Sequence, residues 1–347
     1  MAGKFVVGLL LLSLLVSAGC GPAAVREVAW TGPASQLLVP APPASPPLHY
    51  LRSIFGAADF ARESRSGQMF RWFFGASAED LPLLTPYAVA VSDDGVVWVA
   101  DSGARMLYRI DLPRETVDYL QEVDGVRFTV PSGVAIDAAR NRIYLTDAEA
   151  DKLFLFDLKG RASGQWTAPE GIKRPAGVTI DSAGQVYVAD VLDGMIVMFD
   201  AEGRFIGRRG SKANEDGRFN RPLSVAIGPG GEMLVVDSMN FRVEVQDRDG
   251  ALLGTIGAIG DAPGYFARPR GVAVDRQGRV FVSDAAFDNI QVFDLTGNLL
   301  THFGGAGGKP GQFNLPAGLF IDRGGRLFVA DSYNHRVQVL ELGGAPR

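Results

Sequence analysis

A proline-led unit recurs six times along this chain of 347 residues. Each copy holds three short apolar runs, and the second run ends in aspartate. The copies begin at Pro86, Pro131, Pro175, Pro222, Pro269 and Pro316, at spacings of 45, 44, 47, 47 and 47 residues. The runs are too short for helices and rich in β-branched and aromatic residues, so each predicts a strand. Strand-sized runs at this period are typical of a β-propeller, whose blades bury their faces only by stacking on one another.

A fourth strand for each blade is predicted in the segments between the copies. Three of these segments open with the pattern D-x-x-G, at 200–203, 247–250 and 294–297, which favours a tight turn. The sixth copy ends at Leu340 and leaves too little chain for its own fourth strand. Residues 50–55 resemble the fourth strand that begins near Leu299, so we predict that they complete the last blade. The predicted fold is all-β: a six-bladed β-propeller with an N-terminal strand that closes the last blade.

The N-terminal segment predicts an exported, lipid-anchored protein. Residues 1–19 have the form of a secretory signal, with a lysine, an apolar stretch at 5–16 and then three small residues. The apolar stretch is shorter than the roughly 20 residues that span a bilayer. The only cysteine, Cys20, follows at once, and LLVSAGC resembles the lipobox of bacterial lipoproteins. This resemblance implies that Cys20 carries the lipid and tethers the protein in the bacterial cell envelope, on the periplasmic side or at the cell surface.

The rest of the chain divides into a spacer and one large domain. Residues 20–47, the predicted lipidated linker, are rich in Pro and Ala and favour an extended polyproline II conformation. Residues 48–347 form the predicted propeller, which has an insertion at 57–85. The insertion is aromatic, which argues against disorder, and part of it is predicted to be a short helix. It is interpreted either as a plug over apolar surface beside the channel or as a lid or docking surface. Trp72 and Phe73 are its candidate ligand contacts.

Two of the copies carry the full pattern of the NHL repeat, which the chain resembles. The resemblance rests on DSYNHRVQVL at 331–340 and DSMNFRVEV at 237–245, and on the link pattern GxxGxxxGxFxxP at 257–269 and 304–316. It extends over 86–340, although the copies that contain Asp147, Asp190 and Asp284 lack the Asn-x-Arg of the motif. It implies a six-bladed propeller but no particular function, because propellers host binding, scaffolding and catalysis alike.

One aspartate ends the second strand of every copy: Asp101, Asp147, Asp190, Asp237, Asp284 and Asp331. We predict that these six structural aspartates accept hydrogen bonds from the backbone of adjoining turns rather than bind metal. In the two complete motifs, the arginines are predicted to pair with the aspartates, Arg242 with Asp237 and Arg336 with Asp331.

The links between blades and the turns after the second strands emerge on one face of a propeller with this connectivity. This loop face is the default binding site. Its candidate ligand contacts are basic: Lys173, Arg174, Arg221, Arg268 and Arg270. Guanidinium groups at equivalent positions of three successive blades suit carboxylates, sulfates or phosphates. The alternative is that each arginine pairs with an aspartate of a neighbouring loop.

The sequence leaves two functions open. The first is a non-catalytic binding or scaffold module, monomeric and membrane-tethered, that takes an envelope protein or an anionic ligand on its loop face. The second is a metal-dependent enzyme, because similar six-bladed rings include lactone-hydrolysing metalloenzymes and an amidating lyase that bring metal ligands to the central channel.

Few residues in the chain suit metal catalysis. From residue 48 onward there are three histidines, His49, His302 and His335, and no cysteine, whereas zinc sites use several of these ligands. No cofactor is therefore predicted, and bound calcium, which needs only oxygen ligands, stays open. The net charge of -5 and the predicted export argue against nucleic acid as a partner.

Overall fold

A computed structural model of the chain describes residues 38–39, 48–60 and 82–342. These residues form six antiparallel sheets, arranged as blades around a central channel, which confirms the predicted all-β, six-bladed propeller. The predicted signal segment, Cys20, most of the linker, and Trp72 and Phe73 of the insertion lie outside the described residues.

The first strand of each blade lies innermost, and the strands follow outward in chain order except in the last blade. Blade 1 consists of Pro86–Val91, Val96–Asp101, Met106–Asp111 and Thr116–Leu120; blade 2 of Pro131–Asp137, Arg142–Asp147, Lys152–Phe156 and Ala162–Trp166; blade 3 of Pro175–Ile180, Val186–Asp190, Met195–Phe199 and Phe205–Arg209. Blade 4 consists of Pro222–Ile227, Met233–Asp237, Arg242–Gln246 and Leu252–Ile256; blade 5 of Pro269–Val274, Val280–Asp284, Asn289–Phe293 and Leu299–Gly304; blade 6 of Pro316–Ile321, Arg326–Asp331, Arg336–Leu342 and Leu48–Ile54.

The outer strand of blade 6 comes from the N-terminal part of the domain, as predicted. Leu48–Ile54 pairs antiparallel with Arg336–Leu342, with Tyr50 opposite Leu340 and Ile54 opposite Val337. The short strand Leu38–Val39 extends this sheet by one further edge. The ring is therefore closed by main-chain hydrogen bonds between the two ends of the propeller, which removes the open seam that a ring of six separate blades would have.

The hydrophobic core is divided into six clusters, one between each pair of neighbouring blades. Between blades 1 and 2, for example, Trp98 shares a cluster with Phe154 and Phe156, and all three are almost fully buried. Burial of one large apolar side chain contributes about 1.5–3 kcal/mol. Because each blade places half of its apolar side chains in either neighbouring cluster, a blade is stable only within the ring.

Neighbouring inner strands approach closely where they begin. Ser332 of blade 6 donates a hydrogen bond from Oγ to the carbonyl of Pro86 in blade 1, at 2.8 Å, and so joins the last blade to the first. At Gly177 of blade 3, an added Cβ would lie 2.8 Å from the Cα of Ser224 in blade 4. Glycine is needed at this contact because no side chain fits between the two backbones.

The remaining elements are short. A hairpin, Glu122–Val123 with Val126–Arg127, lies in the link between blades 1 and 2, and single 3-10 turns occur at Ala57–Phe60, Ala138–Arg140, Ser238–Asn240 and Ser332–Asn334. Within the described ranges, no helix has the length and apolar character needed to cross a membrane.

Candidate binding face and central channel

The loop face is defined by one register that all six blades share. In each blade, the proline that begins the inner strand lies opposite the structural aspartate that ends the second strand, as Pro86 lies opposite Asp101. The links that lead into the prolines and the turns that follow the aspartates therefore emerge on the same side of the ring. The inner strands run from this loop face to the opposite face, and the channel passes between them.

The six structural aspartates are fully buried beneath the loop face. Asp101 accepts hydrogen bonds from the backbone N–H groups of Leu84 and Thr85, at 2.7 and 2.9 Å, and from that of Ala104, at 2.8 Å. Equivalent bonds reach Asp147 from Thr129 and Val130, Asp190 from Lys173, Asp237 from Asn220, Asp284 from Ala267 and Arg268, and Asp331 from Asn314. These carboxylates thus fix each link to the blade that follows it, and none is open to a ligand.

The predicted arginine–aspartate pairs of the NHL motif are confirmed. Arg336 donates to Asp331 at 2.8 Å, and its guanidinium also donates to the carbonyl of Gly308 at 2.9 Å and to that of Gln312 at 2.9 Å. Arg242 lies 3.2 Å from Asp237 in the same arrangement. A guanidinium therefore joins the third strand to the link in blades 4 and 6, buried in blade 6 and partly exposed in blade 4.

Asp190 of blade 3 has a different partner because its copy lacks the arginine of the motif. Arg208, on the outer strand of the same blade, reaches it at 3.1 Å. Burial raises the pKa of Asp190 above its ordinary value, although the N–H groups of Lys173 and Asp193 and the Arg208 guanidinium oppose the rise. The pattern Asn-x-Arg is therefore one of two ways in which this chain supplies a cation to the site.

The five basic candidates of the loop face fall into three groups. Three of them, Arg174, Arg221 and Arg268, each directly precede the proline that begins an inner strand. Their side chains are exposed and have no ion-pair or hydrogen-bond partner among the described residues. The carboxylate of Asp151 binds the backbone N–H of Arg174, at 2.7 Å, and not its guanidinium. We call these three side chains the arginine rim.

Lys173 is paired, unlike the arginine rim. Its Nζ lies 2.8 Å from Oδ1 of Asp193. This hydrogen bond raises the pKa of Lys173 and lowers that of Asp193. The alternative interpretation, that the loop-face cations pair with neighbouring aspartates, thus holds for Lys173 alone of the five.

Arg270 turns inward to the mouth of the channel. Its guanidinium carbon lies 5.5 Å from the centre of the Tyr87 ring, a cation–π contact between blades 5 and 1. Neither Arg270 nor the Tyr87 hydroxyl has a hydrogen-bond partner among the described residues. Sequence position alone groups Arg270 with the rim, but the structure separates it.

The channel is a cavity of about 260 Å³ lined by the inner strands of all six blades. Arg270 is the only charged residue among its described lining, which contains neither carboxylate nor imidazole. Across the described residues more widely, no group of three or more His, Cys, Asp or Glu side chains could hold a metal ion. The described wall therefore offers no carboxylate or imidazole side chain to a metal ion.

Apolar side chains also stand on the loop face, and the sequence reasoning missed them. Leu192, Met239 and Tyr333 occupy the second position after the structural aspartate in blades 3, 4 and 6, and they are 63%, 48% and 57% exposed. Leu192 and Arg221 both line an open groove of about 750 Å³ between blades 3 and 4. Aligning the six copies would have shown that a large apolar residue occupies this position in three of them.

Two family models match parts of the chain, and the first identifies one of its repeats. The model described as NHL repeat matches residues 313–340, which cover most of the sixth copy. The chain is a six-bladed β-propeller with an NHL repeat. A second model, described as the SMP-30/Gluconolactonase/LRE-like region, matches residues 60–212 of this propeller.

One curated relative is a named enzyme. Pentonolactonase XacC of Haloferax volcanii is 30% identical over 115 residues, which are 31% of this propeller chain and 38% of that protein. The match therefore spans well under half of the relative's length.

Solved structures share the fold at low identity. A gluconolactonase from Xanthomonas campestris aligns with a TM-score of 0.59 at 19% identity, over 89% of this chain and 98% of that one. Virginiamycin B lyase from Staphylococcus aureus aligns with a TM-score of 0.55 at 16% identity, over 74% of this chain and 95% of that one. An auxiliary nutrient binding protein from Bacteroides thetaiotaomicron aligns with a TM-score of 0.58 at 12% identity, over 76% of this chain and 70% of that one. At these identities the likeness shows the fold alone.

Proposed function

We propose that this NHL-repeat propeller is a non-catalytic binding or scaffold module of the bacterial cell envelope, tethered by a lipid on Cys20. It captures an acidic protein or another anionic ligand on its loop face. The observation that carries the proposal is the arginine rim, three exposed guanidinium groups without partners among the described residues. The structural aspartates beneath them are buried and bonded to backbone, and none forms an ion pair with a rim side chain.

The second observation in support is the chemistry around the rim. Arg221 shares its groove with the exposed side chain of Leu192, and large apolar side chains beside arginines are typical of protein interfaces. Arginine also forms two parallel hydrogen bonds with a carboxylate, which gives such a surface direction as well as charge.

The test compares two triple variants of equal charge. In one, Arg174, Arg221 and Arg268 are replaced by Gln; in the control, Arg161, Arg248 and Arg276, exposed in turns on the opposite face, are replaced. Immobilised poly-glutamate and envelope extracts serve as binding probes at low and physiological salt. We expect the rim variant alone to lose binding. Equal binding by both variants, or equal loss in both, would count against the loop face.

Lipid attachment is tested separately. Replacement of Cys20 by Ser is expected to abolish incorporation of labelled fatty acid and to release the protein from the membrane fraction. Membrane association that survives this replacement would contradict the anchor.

A second candidate function is a metal-dependent lactonase or lyase. It is favoured by the match to the gluconolactonase-like family model over residues 60–212 and by the relative from Haloferax volcanii. Against it stands the described channel wall, which offers no carboxylate or imidazole ligand. Metal analysis of purified protein, with hydrolysis assays on sugar lactones, discriminates the two: a stoichiometric divalent ion together with turnover would replace the binding proposal.

A further inference from the structure

The central channel differs in chemistry between its two ends. The inner strands begin at the loop face, where the second residue of five strands lines the mouth: Tyr87, Ser132, Leu223, Arg270 and Ala317. They end at the opposite face, where the sixth residue of five strands lines the wall: Ile136, Ile180, Ile227, Val274 and Ile321. The channel thus has a polar, cationic mouth and an aliphatic floor.

Arg270 is the only charged residue in the described wall, and no carboxylate among the described residues forms an ion pair with it. The side chain is half-buried, and a guanidinium carries five N–H donors. Its one recorded contact is with the face of the Tyr87 ring, which satisfies charge but accepts none of these N–H groups in the plane of the guanidinium. A carboxylate at the mouth would give these donors a charge-assisted acceptor.

The aliphatic part of the wall selects the rest of the ligand. Six-residue strands make a channel roughly 20 Å deep. A cavity of about 260 Å³ along this length is narrow and lies just below the range of about 300–1,000 Å³ that is usual for ligand pockets. A slender apolar chain can contact these aliphatic side chains along its length, whereas the many hydroxyl groups of a sugar would find, beyond Tyr87 at the mouth, only Ser132, Thr179 and Ser224 as hydroxyl side chains in the lining.

We propose that the channel binds an unbranched aliphatic carboxylate, with its carboxylate on Arg270 beside the Tyr87 hydroxyl and its chain directed towards the aliphatic floor. This site is separate from the arginine rim and does not depend on the function proposed for it. The rim side chains are exposed on the loop face, whereas Arg270 lines the channel.

The experiment titrates the full propeller with octanoate by ligand-observed NMR and calorimetry. Butyrate keeps the carboxylate but lacks four methylenes, and octylammonium keeps the chain but reverses the charge. The variants are Arg270→Gln and, as a control with the same change of charge, Arg161→Gln, which is exposed on the opposite face and lies outside both the rim and the channel. Tyr87→Leu is a second channel variant that leaves Arg270 in place. Melting temperatures establish that each variant is folded.

We expect octanoate to bind the unmodified protein and Arg161→Gln equally. Arg270→Gln is expected to weaken it by about tenfold or more, and Tyr87→Leu to weaken it in the same direction. Butyrate is expected to bind on the order of a hundredfold more weakly than octanoate. The proposal is overturned if octanoate does not bind, if octylammonium binds as well as octanoate, or if folded Arg270→Gln and Tyr87→Leu both retain full affinity. Loss of anionic partners by the rim variant with octanoate binding intact, or the reverse, tells which of the two proposals has failed.

Discussion

Replacing Arg336 by Ala tests whether a buried guanidinium fixes the link between blades 5 and 6. The side chain is 4% exposed, and Asp331, its partner, is fully buried. Besides the 2.8 Å bond to that carboxylate, the guanidinium donates to three carbonyls of the link, those of Gly308, Lys309 and Gln312, at 2.9, 3.1 and 2.9 Å. Alanine leaves one buried negative charge and three carbonyls without this donor.

The expected loss in the free energy of unfolding is about 3–5 kcal/mol, the usual effect of removing one member of a buried ion pair. The control is Arg323→Ala, because Arg323 pairs with Asp93 on the surface and both side chains are more than half exposed. Such exposed pairs contribute about 0–1 kcal/mol. Urea unfolding followed by tryptophan fluorescence gives both values, and limited proteolysis reports whether residues 304–315 become accessible.

Two results would refute this reasoning. One is a loss for Arg336→Ala that is no larger than that for Arg323→Ala. The other is a large loss without any new cleavage in the link, since this would place the effect elsewhere. Arg336→Lys adds a graded point: it keeps a charge near Asp331 but cannot reach all three carbonyls, so an intermediate stability is expected.

Three further predictions concern the ring itself. Deleting residues 48–54 removes the buried side chains of Leu48, Tyr50, Leu51 and Ile54, which together contribute about 6–12 kcal/mol, so the protein is expected to become protease-sensitive. Deleting residues 38–39 is expected to change protease sensitivity little. Equal protease resistance of the two deletion variants would contradict closure by this strand. Gly177→Ala is expected to cost about 1–3 kcal/mol because its Cβ meets the Ser224 backbone, whereas Gly254→Ala, with nothing within 4 Å, is expected to be neutral in the same urea assay. Burial and the nearby Asp181 raise the pKa of Tyr187 to about 12. The stability contributed by the neutral phenol is therefore complete below about pH 10 and is lost as the pH rises through about 12. Tyr187→Phe is expected to flatten this alkaline decline in the free energy of unfolding, and an unchanged slope would argue against the prediction.

Strands and closure could be predicted from the sequence because their signals are local. The D-x-x-G pattern at 200–203 predicts a turn, and the strand Phe205–Arg209 follows it. The closing strand, predicted at 50–55, is Leu48–Ile54. In both cases turn residues and alternating apolar positions set the boundaries, whatever the rest of the fold.

The direction of individual side chains on the loop face could not be predicted. Arg268 and Arg270 flank the same proline, yet one is exposed and the other lines the channel, because the ring of Tyr87 approaches from a blade two places away. Lys173 likewise pairs with Asp193 across a turn. These contacts depend on the curvature of the closed ring, which no repeat period encodes.

Closure by Leu48–Ile54 also orders the assembly of the protein in time. This strand leaves the ribosome before every other part of the propeller, but its partner, Arg336–Leu342, is synthesised last. Until then the nascent chain holds an unmatched strand at one end and a growing stack of incomplete blades at the other. Pairing across so great a sequence separation is slow. The polypeptide consequently stays unsealed until Arg336–Leu342 has been made and has reached its partner strand.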